Sequence, residues 1–289
     1  MDRDRKVNEK KKKTRICIGE RLLNLLYPPR CPLCDQILTG KDGLCCRKCE
    51  KDLPWISGPT CMKCGKMIAE EEEEFCDDCR RYHHRFDRGT AAFAYTGQLR
   101  HSIYRMKAEN RRDYLDFYAD AMVRALKPYL GRWKPECIVA IPMHWQKKWK
   151  RGYNQSELLA KKIAERTGIL LERSWVYCCK KTKEQKKLGR KERENNLSGC
   201  FAFRQPEKRF RRVLIVDDIY TTGSTMDELA ALLKEQGTQE IYFVVLCIGK
   251  GKKRVCTKGN VCYTEIKSGY FRKKERREQN EQPESMVGK

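Results

Sequence analysis

Eight cysteines near the start of the chain have the spacing of metal ligands. They form four CxxC pairs whose first members are fifteen residues apart, namely Cys31/Cys34, Cys46/Cys49, Cys61/Cys64 and Cys76/Cys79. One CxxC turn points two thiolates at a single ion, so four turns supply two tetrahedral four-thiolate sites, the geometry that zinc prefers. A lone CxxC pair also suits redox chemistry, but four regularly spaced pairs favour two structural zinc sites.

The equal spacing does not decide which cysteine pairs share an ion. Consecutive and interleaved pairs are equally reachable, and we expect consecutive pairs, which make a double zinc ribbon. Cys45 adjoins Cys46 and could replace it, but Cys46 keeps the CxxC spacing to Cys49. A module of this size buries too little apolar surface to fold unaided, so metal binding would supply the missing stability. We expect it to have a core separate from the rest of the chain.

A second group of chemically capable residues follows the apolar run 213–216. Two carboxylates, Asp217 and Asp218, come first, and a hydroxyl-rich turn then leads into a helical stretch. The turn consists of Thr221, Thr222, Gly223, Ser224 and Thr225. Free amides at the helix start, with Gly223 permitting close backbone approach, suit a phosphate monoester, whereas the carboxylates suit ribose hydroxyls or Mg²⁺. Thr225 and Glu228 also have the spacing of a capping box. The chain has no GxxxxGK[ST] motif, which disfavours a P-loop nucleotidase.

Alternating apolar runs and helical stretches predict the elements that position these residues. We expect strands at 91–95, 137–141, 175–179, 213–216 and 241–248, and helices at 99–106, 114–126, 154–167 and 227–235. This alternation predicts an α/β fold with a mostly parallel sheet flanked by helices. Active sites in such sheets lie at the carboxyl ends of the strands, where the two aspartates are expected.

The segment from Asp217 to Thr225 resembles the phosphoribosyl pyrophosphate (PRPP) motif of type I phosphoribosyltransferases. Further similarities narrow the resemblance to the ComF family, which is associated with DNA uptake during competence. They are the cysteine-rich start, the segment 151–155, and the spacing of Gln185, Arg193 and Asn196. The resemblance implies a type I phosphoribosyltransferase-like domain at 91–250, preceded by a double zinc ribbon at 30–90. Residues 1–29 are expected to form a basic arm and short helix, and residues 251–289 a polar disordered tail.

The resemblance also implies roles for individual residues in binding PRPP with Mg²⁺. The turn 221–225 would bind the 5′-phosphate, and Asp217 and Asp218 would hold the ribose 2′ and 3′ hydroxyls. Residues 141–144 resemble the strand end before the pyrophosphate loop, so the basic segment 145–151 would face pyrophosphate. Its cations are Lys147, Lys148, Lys150 and Arg151. Lys107 lies where the family carries a lysine, although an ordinary helix-end cation fits equally well.

The segment 180–197 matches the position of a mobile catalytic loop in enzymes of this class. Gln185 and Arg193 are its catalytic candidates. A flexible basic segment would suit closure over PRPP and exclusion of water from a reactive sugar cation. A solvated charged helix without a catalytic role is the alternative.

The net charge of +24 is unevenly distributed along the chain. Residues 146–212 carry +14, and residues 213–249 carry −5. This arrangement indicates a basic wall facing a small acidic site, as polyphosphate or nucleic acid with a divalent cation would require, although a solvated basic surface is the alternative. Stacking faces lie among these cations at Trp145, Trp149, Tyr153 and Trp175, a combination that suits single-stranded DNA. The nucleic-acid candidates are Lys147, Lys148, Lys150 and Trp149.

Two functions fit these patterns. In the first, the protein binds PRPP with Mg²⁺ and contacts single-stranded DNA, and other DNA-uptake proteins are candidate partners. In the second, it is an active phosphoribosyltransferase of nucleotide or cofactor salvage with an unidentified acceptor and no DNA role. Turnover is left open. No apolar run reaches the length of about 18 residues that spans a membrane, and residues 1–15 lack a signal-peptide core. We therefore expect a cytoplasmic protein without integral membrane association.

Overall fold

A computed structural model describes residues 27–40, 42–69, 72–181 and 197–249. The predictions for the basic arm before residue 27, the segment containing Gln185, Arg193 and Asn196, and the tail from residue 250 lie outside the described residues. No helix in the described ranges has both the length and the apolar character needed to cross a membrane.

A five-stranded parallel sheet forms the centre of the fold. The described residues contain seven strands, namely β1 (Arg88–Ala94), β2 (Cys137–Ala140), β3 (Leu170–Glu172), β4 (Val176–Cys178), β5 (Phe201–Phe203), β6 (Arg212–Tyr220) and β7 (Glu240–Ile248). The sheet order is β1–β7–β6–β2–β3, and β4 and β5 form a separate antiparallel pair. All neighbours in the large sheet are parallel, which confirms the predicted fold class.

Seven α-helices lie within the described residues. They are α1 (Arg47–Lys51), α2 (Asp77–Arg81), α3 (Gly97–Ala108), α4 (Leu115–Trp133), α5 (Trp145–Arg151), α6 (Gln155–Thr167) and α7 (Ser224–Glu235). The two ends of α6 show how the local sequence determines where a helix begins and ends. The Asn154 side chain accepts a hydrogen bond from the backbone N–H of Ser156 at its start, and Gly168 ends it in a left-handed conformation.

The two central strands bury side chains on both faces of the sheet. Alternate residues of β6 and β7, such as Leu214 and Val244, pack with α3, α4 and α6. The intervening residues, such as Ile215 and Phe243, pack with α7. A strand buried on both faces has a continuous apolar sequence, which explains why these two runs were easy to predict.

The two cysteine modules do not have a core of their own, so the expectation of a separate core is wrong. Cys31 and Cys49 lie in the same cluster of buried side chains as Leu99 of α3. Cys61 and Cys76 lie in the cluster on the opposite face of the sheet. Such small modules bury enough apolar surface only by packing against the sheet domain.

The segment between Cys49 of the first cysteine module and Cys61 of the second covers the open edge of β1. The backbone N–H of Ile56 donates to the carbonyl of Ala92 at 3.0 Å, and the N–H of Ala94 donates to the carbonyl of Pro54 at 2.8 Å. These bonds satisfy backbone groups that an exposed edge strand would leave unpaired. They also attach both modules to the sheet.

Several elements differ from the sequence-based expectation. The β6 strand continues to Tyr220, because residues after Val216 still pair with β7, while β2 ends opposite Val216. The basic segment expected as a pyrophosphate loop contains the helix α5. The short strands β3 and β5 were not predicted. The strand predicted at 175–179 is β4, which pairs antiparallel with β5 outside the large sheet.

Candidate functional site

The eight CxxC cysteines form two compact clusters of four. One contains Cys31, Cys34, Cys46 and Cys49, and the other contains Cys61, Cys64, Cys76 and Cys79. Within each cluster all sulfur atoms lie within 4.8 Å of one another. Four thiolates at this separation fit one tetrahedral zinc ion, so the clusters fit two zinc sites, and the favoured consecutive pairing is confirmed.

The two clusters are built by the same turn. The N–H of Cys31 donates to the carbonyl of Gln36 and that of Cys61 to the carbonyl of Lys66, each at 2.8 Å. The residue after the second cysteine is left-handed in both turns, with φ of 62° at Asp35 and 73° at Gly65. Cys45 is an additional thiol beside the first cluster, with its sulfur 3.7 Å from that of Cys31.

We expect the purified protein to contain two zinc ions per chain, as two four-thiolate sites require. Elemental analysis of protein purified under reducing conditions without chelator measures this number. The Cys61→Ser variant is expected to retain one zinc ion and to melt at a lower temperature, because the second ribbon packs into the core of the sheet. Protein that contains no zinc would contradict the ribbon assignment.

The two aspartates lie side by side in β6, beyond the end of the neighbouring strand β2. The Ser156 hydroxyl donates to Oδ1 of Asp217 at 2.7 Å. The Lys107 ammonium group pairs with Oδ2 of Asp218, which is buried. The structure therefore brings Lys107 and both aspartates together, and it adds Ser156 at the start of α6.

The Asp217 carboxyl group is poised to change its protonation state near neutral pH. Burial, with the adjacent Asp218 charge, raises the pKa of Asp217 to about 7, and the Ser156 hydroxyl and Lys107 only partly oppose this rise. The raised pKa reflects first the cost of desolvating a charged carboxylate and second the repulsion from the neighbouring Asp218 charge.

This raised pKa predicts a dependence of stability on pH. The folded protein retains a proton on Asp217 that the unfolded chain has released, so this group's contribution to stability falls as pH rises from about 4 through about 7. Relative to wild type, Asp217→Asn should gain stability as pH rises through this range. Thermal unfolding of both proteins at several pH values measures the difference. A difference in unfolding free energy that stays constant from pH 5 to pH 8 would contradict the raised pKa.

The hydroxyl-rich turn connects β6 directly to α7. The α7 helix begins at Ser224, and Gly223 precedes it with a φ of 86°. The hydroxyl oxygens of Thr222 and Ser224 are 3.0 Å apart. The first backbone amides of a helix have no intrahelical partner, so this turn has the chemistry of an anion site.

The α7 helix begins one residue before Thr225, the residue predicted to cap it in a capping box with Glu228. Thr225 is already the second residue of α7, so it does not occupy the capping position. The Glu228 carboxylate instead accepts a hydrogen bond from the backbone N–H of Gly199 at 2.5 Å.

The segment after β2 lies beside the aspartates. The N–H of Ile141 donates to the carbonyl of Val216 at 3.0 Å, and the Asn154 side chain donates to the carbonyl of Ile141 at the same distance. Arg151, the last residue of α5, donates to the Gln155 side chain at 2.6 Å. Arg151 and the start of α6 therefore lie on the β2 side of the site.

The α5 helix exposes two tryptophans one turn apart. Trp145 is 67% exposed and Trp149 is 83% exposed. Of the predicted cations on this helix, Lys150 is exposed, and Lys148 pairs with Glu157 at 2.8 Å. Lys147 is half-buried. A hydrogen bond with Cys200 lowers the pKa of Cys178 to about 7, and the positive charge of Lys147 contributes to this shift.

Two other aromatic residues that the sequence offered as stacking faces are buried. Tyr153 is 4% exposed, and its hydroxyl donates to the carbonyl of Met106. Trp175 is fully buried beside Phe203 and Phe210. Neither ring can stack on a nucleic-acid base, so that part of the prediction is wrong.

Part of the positive charge of residues 146–212 is neutralised by acidic partners. Two ion pairs with residues before this segment show this, namely Lys162–Asp116 and Arg212–Glu136.

Three residues near the site were not predicted from the sequence. They are Ser156, which contacts Asp217, Arg112, whose guanidinium lies 4.5 Å from the Tyr153 ring centroid, and His84, which packs under Gly223. Ser156 could have been predicted, because it lies in the first turn of a helix that Asn154 caps, and the polar residues at such a helix start can reach a site at the edge of the sheet. Nothing in the sequence around Arg112 or His84 indicates that the fold brings them to this site.

Comparisons with known proteins agree with this architecture. A double zinc ribbon domain family matches residues 22–80, and a phosphoribosyl transferase domain family matches residues 159–275. Competence protein F of Haemophilus influenzae is 31% identical over 73% of this chain and 93% of its own length. DNA utilization protein YhgH of Escherichia coli K12 is 28% identical over 77% of this chain and 98% of its own length. Competence protein ComFC of Bacillus subtilis is 25% identical over 72% of this chain and 89% of its own length. The chain therefore belongs to the ComF family, with a double zinc ribbon and a phosphoribosyltransferase domain.

Proposed function

We propose that this protein binds PRPP with Mg²⁺ at the carboxyl edge of β6 and contacts single-stranded DNA through the exposed face of α5. The observation that carries the proposal is the direct succession of Asp217, Asp218 and the turn 221–225 at the start of α7. Names of related proteins that refer to competence and DNA utilization support the DNA part.

Each part of PRPP finds a chemically suitable partner at this edge. The backbone amides and hydroxyls of the turn 221–225 suit the 5′-phosphate. Asp217 and Asp218 suit the ribose hydroxyls, since carboxylates accept hydrogen bonds from them. Lys107 and Arg151 supply positive charge for the pyrophosphate, and Lys107 already lies against Asp218.

The site also has the donor set for a magnesium ion. Asp217 and Asp218 offer carboxylate oxygens, the ligands that Mg²⁺ prefers, and the ion would neutralise charge on the pyrophosphate group. The raised pKa of Asp217 means that binding of a cation or of ribose would favour loss of its proton. Lys107 and Ser156 would then hold the charged carboxylates in position.

The DNA-binding part of the proposal rests on Trp145, Trp149 and Lys150 of α5. Two exposed indole rings four residues apart lie on the same side of a helix, where they offer stacking faces for bases. Lys150 supplies charge for the DNA backbone without recognising sequence.

We expect Trp149→Ala to weaken single-stranded DNA binding about 5- to 150-fold, because stacking on one aromatic ring contributes about 1–3 kcal/mol per base. Fluorescence anisotropy with a labelled oligonucleotide measures the change. Trp149→Phe should retain most of the affinity, and Tyr104→Ala, an exposed aromatic on α3, serves as the matched control. Lys150→Ala should instead reduce the slope of log affinity against log salt by about 0.7. Wild-type affinity in Trp149→Ala would remove α5 from the DNA interface.

The alternative function is phosphoribosyl transfer to a small acceptor, without a DNA role. The intact pair of aspartates and the complete phosphate turn favour it, because catalysis in such a site is chiefly positioning and electrostatic stabilisation. Release of pyrophosphate from PRPP in the presence of nucleobases, compared with its release in their absence, measures turnover. Acceptor-dependent release by a protein that does not bind single-stranded DNA would favour this alternative.

A further inference from the structure

The second zinc ribbon meets the start of α7 at a buried histidine. His84, which follows the last ribbon cysteine by five residues, is only 3% exposed, and its Nδ1 lies 2.7 Å from a carboxylate oxygen of Asp227. The backbone N–H of Arg85 donates to the other oxygen of Asp227 at 2.9 Å. Asp227 lies in the first turn of α7, so it ties the chain leaving the ribbon to the helix that begins at the phosphate turn.

The His84 ring lies directly beneath Gly223 of that turn. A Cβ atom at Gly223 would be 2.8 Å from Cε1 of His84 and 2.6 Å from the hydroxyl oxygen of Tyr220. Both distances are shorter than side chains tolerate, so the backbone of the turn rests on these two side chains. An anion site made of backbone amides needs such a support, because its donors keep their directions only while the backbone is held still.

The second ribbon also contacts Tyr220. Lys66, which is 3% exposed, pairs with Asp78 of α2 at 2.6 Å, and its ammonium group lies 5.9 Å from the Tyr220 ring centroid. His84 in turn stacks on Phe86, with ring centroids 4.8 Å apart. The two side chains that pack against Gly223, His84 and Tyr220, are thus themselves in contact with residues of the second ribbon and of the chain that leaves it.

Two polar atoms in this support have no hydrogen-bond partner among the described residues. They are Nε2 of His84 and the hydroxyl oxygen of Tyr220, and both are buried. Burial raises the pKa of Tyr220 well above its usual range, so the hydroxyl keeps its proton and remains a donor. Proteins rarely leave such buried atoms unpaired.

We propose that His84 is a positioning residue for the phosphate turn, so that phosphate binding at residues 221–225 depends on the second zinc ribbon. The inference rests on the proposed function, which assigns a phosphate to this turn. The first ribbon lies elsewhere, against α3, where Arg105 donates to the carbonyls of Pro32 and Leu33 at 3.0 and 2.7 Å.

The test is calorimetric titration of the full-length, zinc-containing protein with ribose 5-phosphate and, separately, with inorganic pyrophosphate. His84→Ala is expected to weaken ribose 5-phosphate binding at least tenfold and to change pyrophosphate binding less than twofold. A merely structural defect would weaken both ligands together. His83→Ala, at the exposed neighbouring histidine, is the matched control and should bind both ligands as wild type does.

Circular dichroism shows whether His84→Ala folds. If it does not fold, the following variants test the same role of His84. His84→Asn retains a side-chain N–H for Asp227 and should restore most of the ribose 5-phosphate affinity. Asp227→Asn removes the charge that fixes the ring and should show the same selective loss as His84→Ala. Cys79→Ser, in the second ribbon, should weaken ribose 5-phosphate binding more than Cys34→Ser in the first, although each loses one zinc ion.

Two outcomes separate the inference from the proposed function. If wild type binds ribose 5-phosphate and the His84 and Asp227 variants bind it equally well, the positioning role is wrong and the phosphate site stands. If wild type binds neither ribose 5-phosphate nor PRPP, the proposed function fails, and the role of His84 fails with it.

Discussion

The double variant Asp217→Asn/Asp218→Asn is expected to lose Mg²⁺-dependent PRPP binding by at least a hundredfold while keeping its fold. Two carboxylates that accept from ribose hydroxyls and support a cation become amides, which carry no charge and bind Mg²⁺ poorly. The fold should tolerate the change, because burial already disfavours the charged form of Asp217. Calorimetric titration with PRPP and circular dichroism measure the two effects.

The matched control is the same substitution at a distant carboxylate. Asp120→Asn removes an exposed charge on α4 that pairs with Arg166, and it should leave PRPP affinity unchanged. If the aspartates merely stabilise the turn, the double variant should bind PRPP as wild type does and gain stability from the loss of repulsion. Equal affinity in the double variant and wild type would therefore defeat the phosphoribosyl assignment.

The Gly223→Ala variant is expected to lose PRPP affinity by at least tenfold and to be markedly less stable. Two penalties combine at this position. The φ of 86° is left-handed, which costs about 1–2 kcal/mol for alanine, and the added Cβ would overlap Tyr220 and His84, which costs about 1–3 kcal/mol more. Relief of the overlap requires the turn to move, so its amides would no longer converge on one phosphate. Thermal unfolding and PRPP titration measure both losses.

Gly168→Ala separates the backbone penalty from the overlap. Gly168 ends α6 with a φ of 74°, and a Cβ there would meet no atom within 4 Å. This variant should lose about 1–2 kcal/mol of stability and retain the PRPP affinity of wild type. Equal stability and equal PRPP affinity in the two variants would show that Gly223 is needed only for its backbone conformation.

The features that were predictable from sequence are those with a local signal. The CxxC spacing identified both clusters because a turn of four residues fixes two ligands at once. The runs that became β6 and β7 are apolar throughout, since both faces of these strands are buried. The hydroxyl-rich turn before α7 was recognisable because Gly223 and the flanking hydroxyls are adjacent in the chain.

The features that were missed depend on contacts between distant segments. His84 reaches Asp227 across 143 residues, and Ser156 reaches Asp217 across 61 residues. Neither pairing has a periodicity or a spacing that a sequence could reveal. The burial of Tyr153 and Trp175 was missed for the same reason, because composition shows that an aromatic residue is present but not which surface it faces.

Calorimetric titration of PRPP into the wild-type protein, with and without Mg²⁺, tests the central claim most directly. The proposed site predicts saturable binding of one PRPP molecule per chain when Mg²⁺ is present, and at least tenfold weaker binding when it is removed. The protein sample should contain two zinc ions per chain and be folded by circular dichroism. Absence of saturable PRPP binding by such a sample in the presence of Mg²⁺ would contradict the claim.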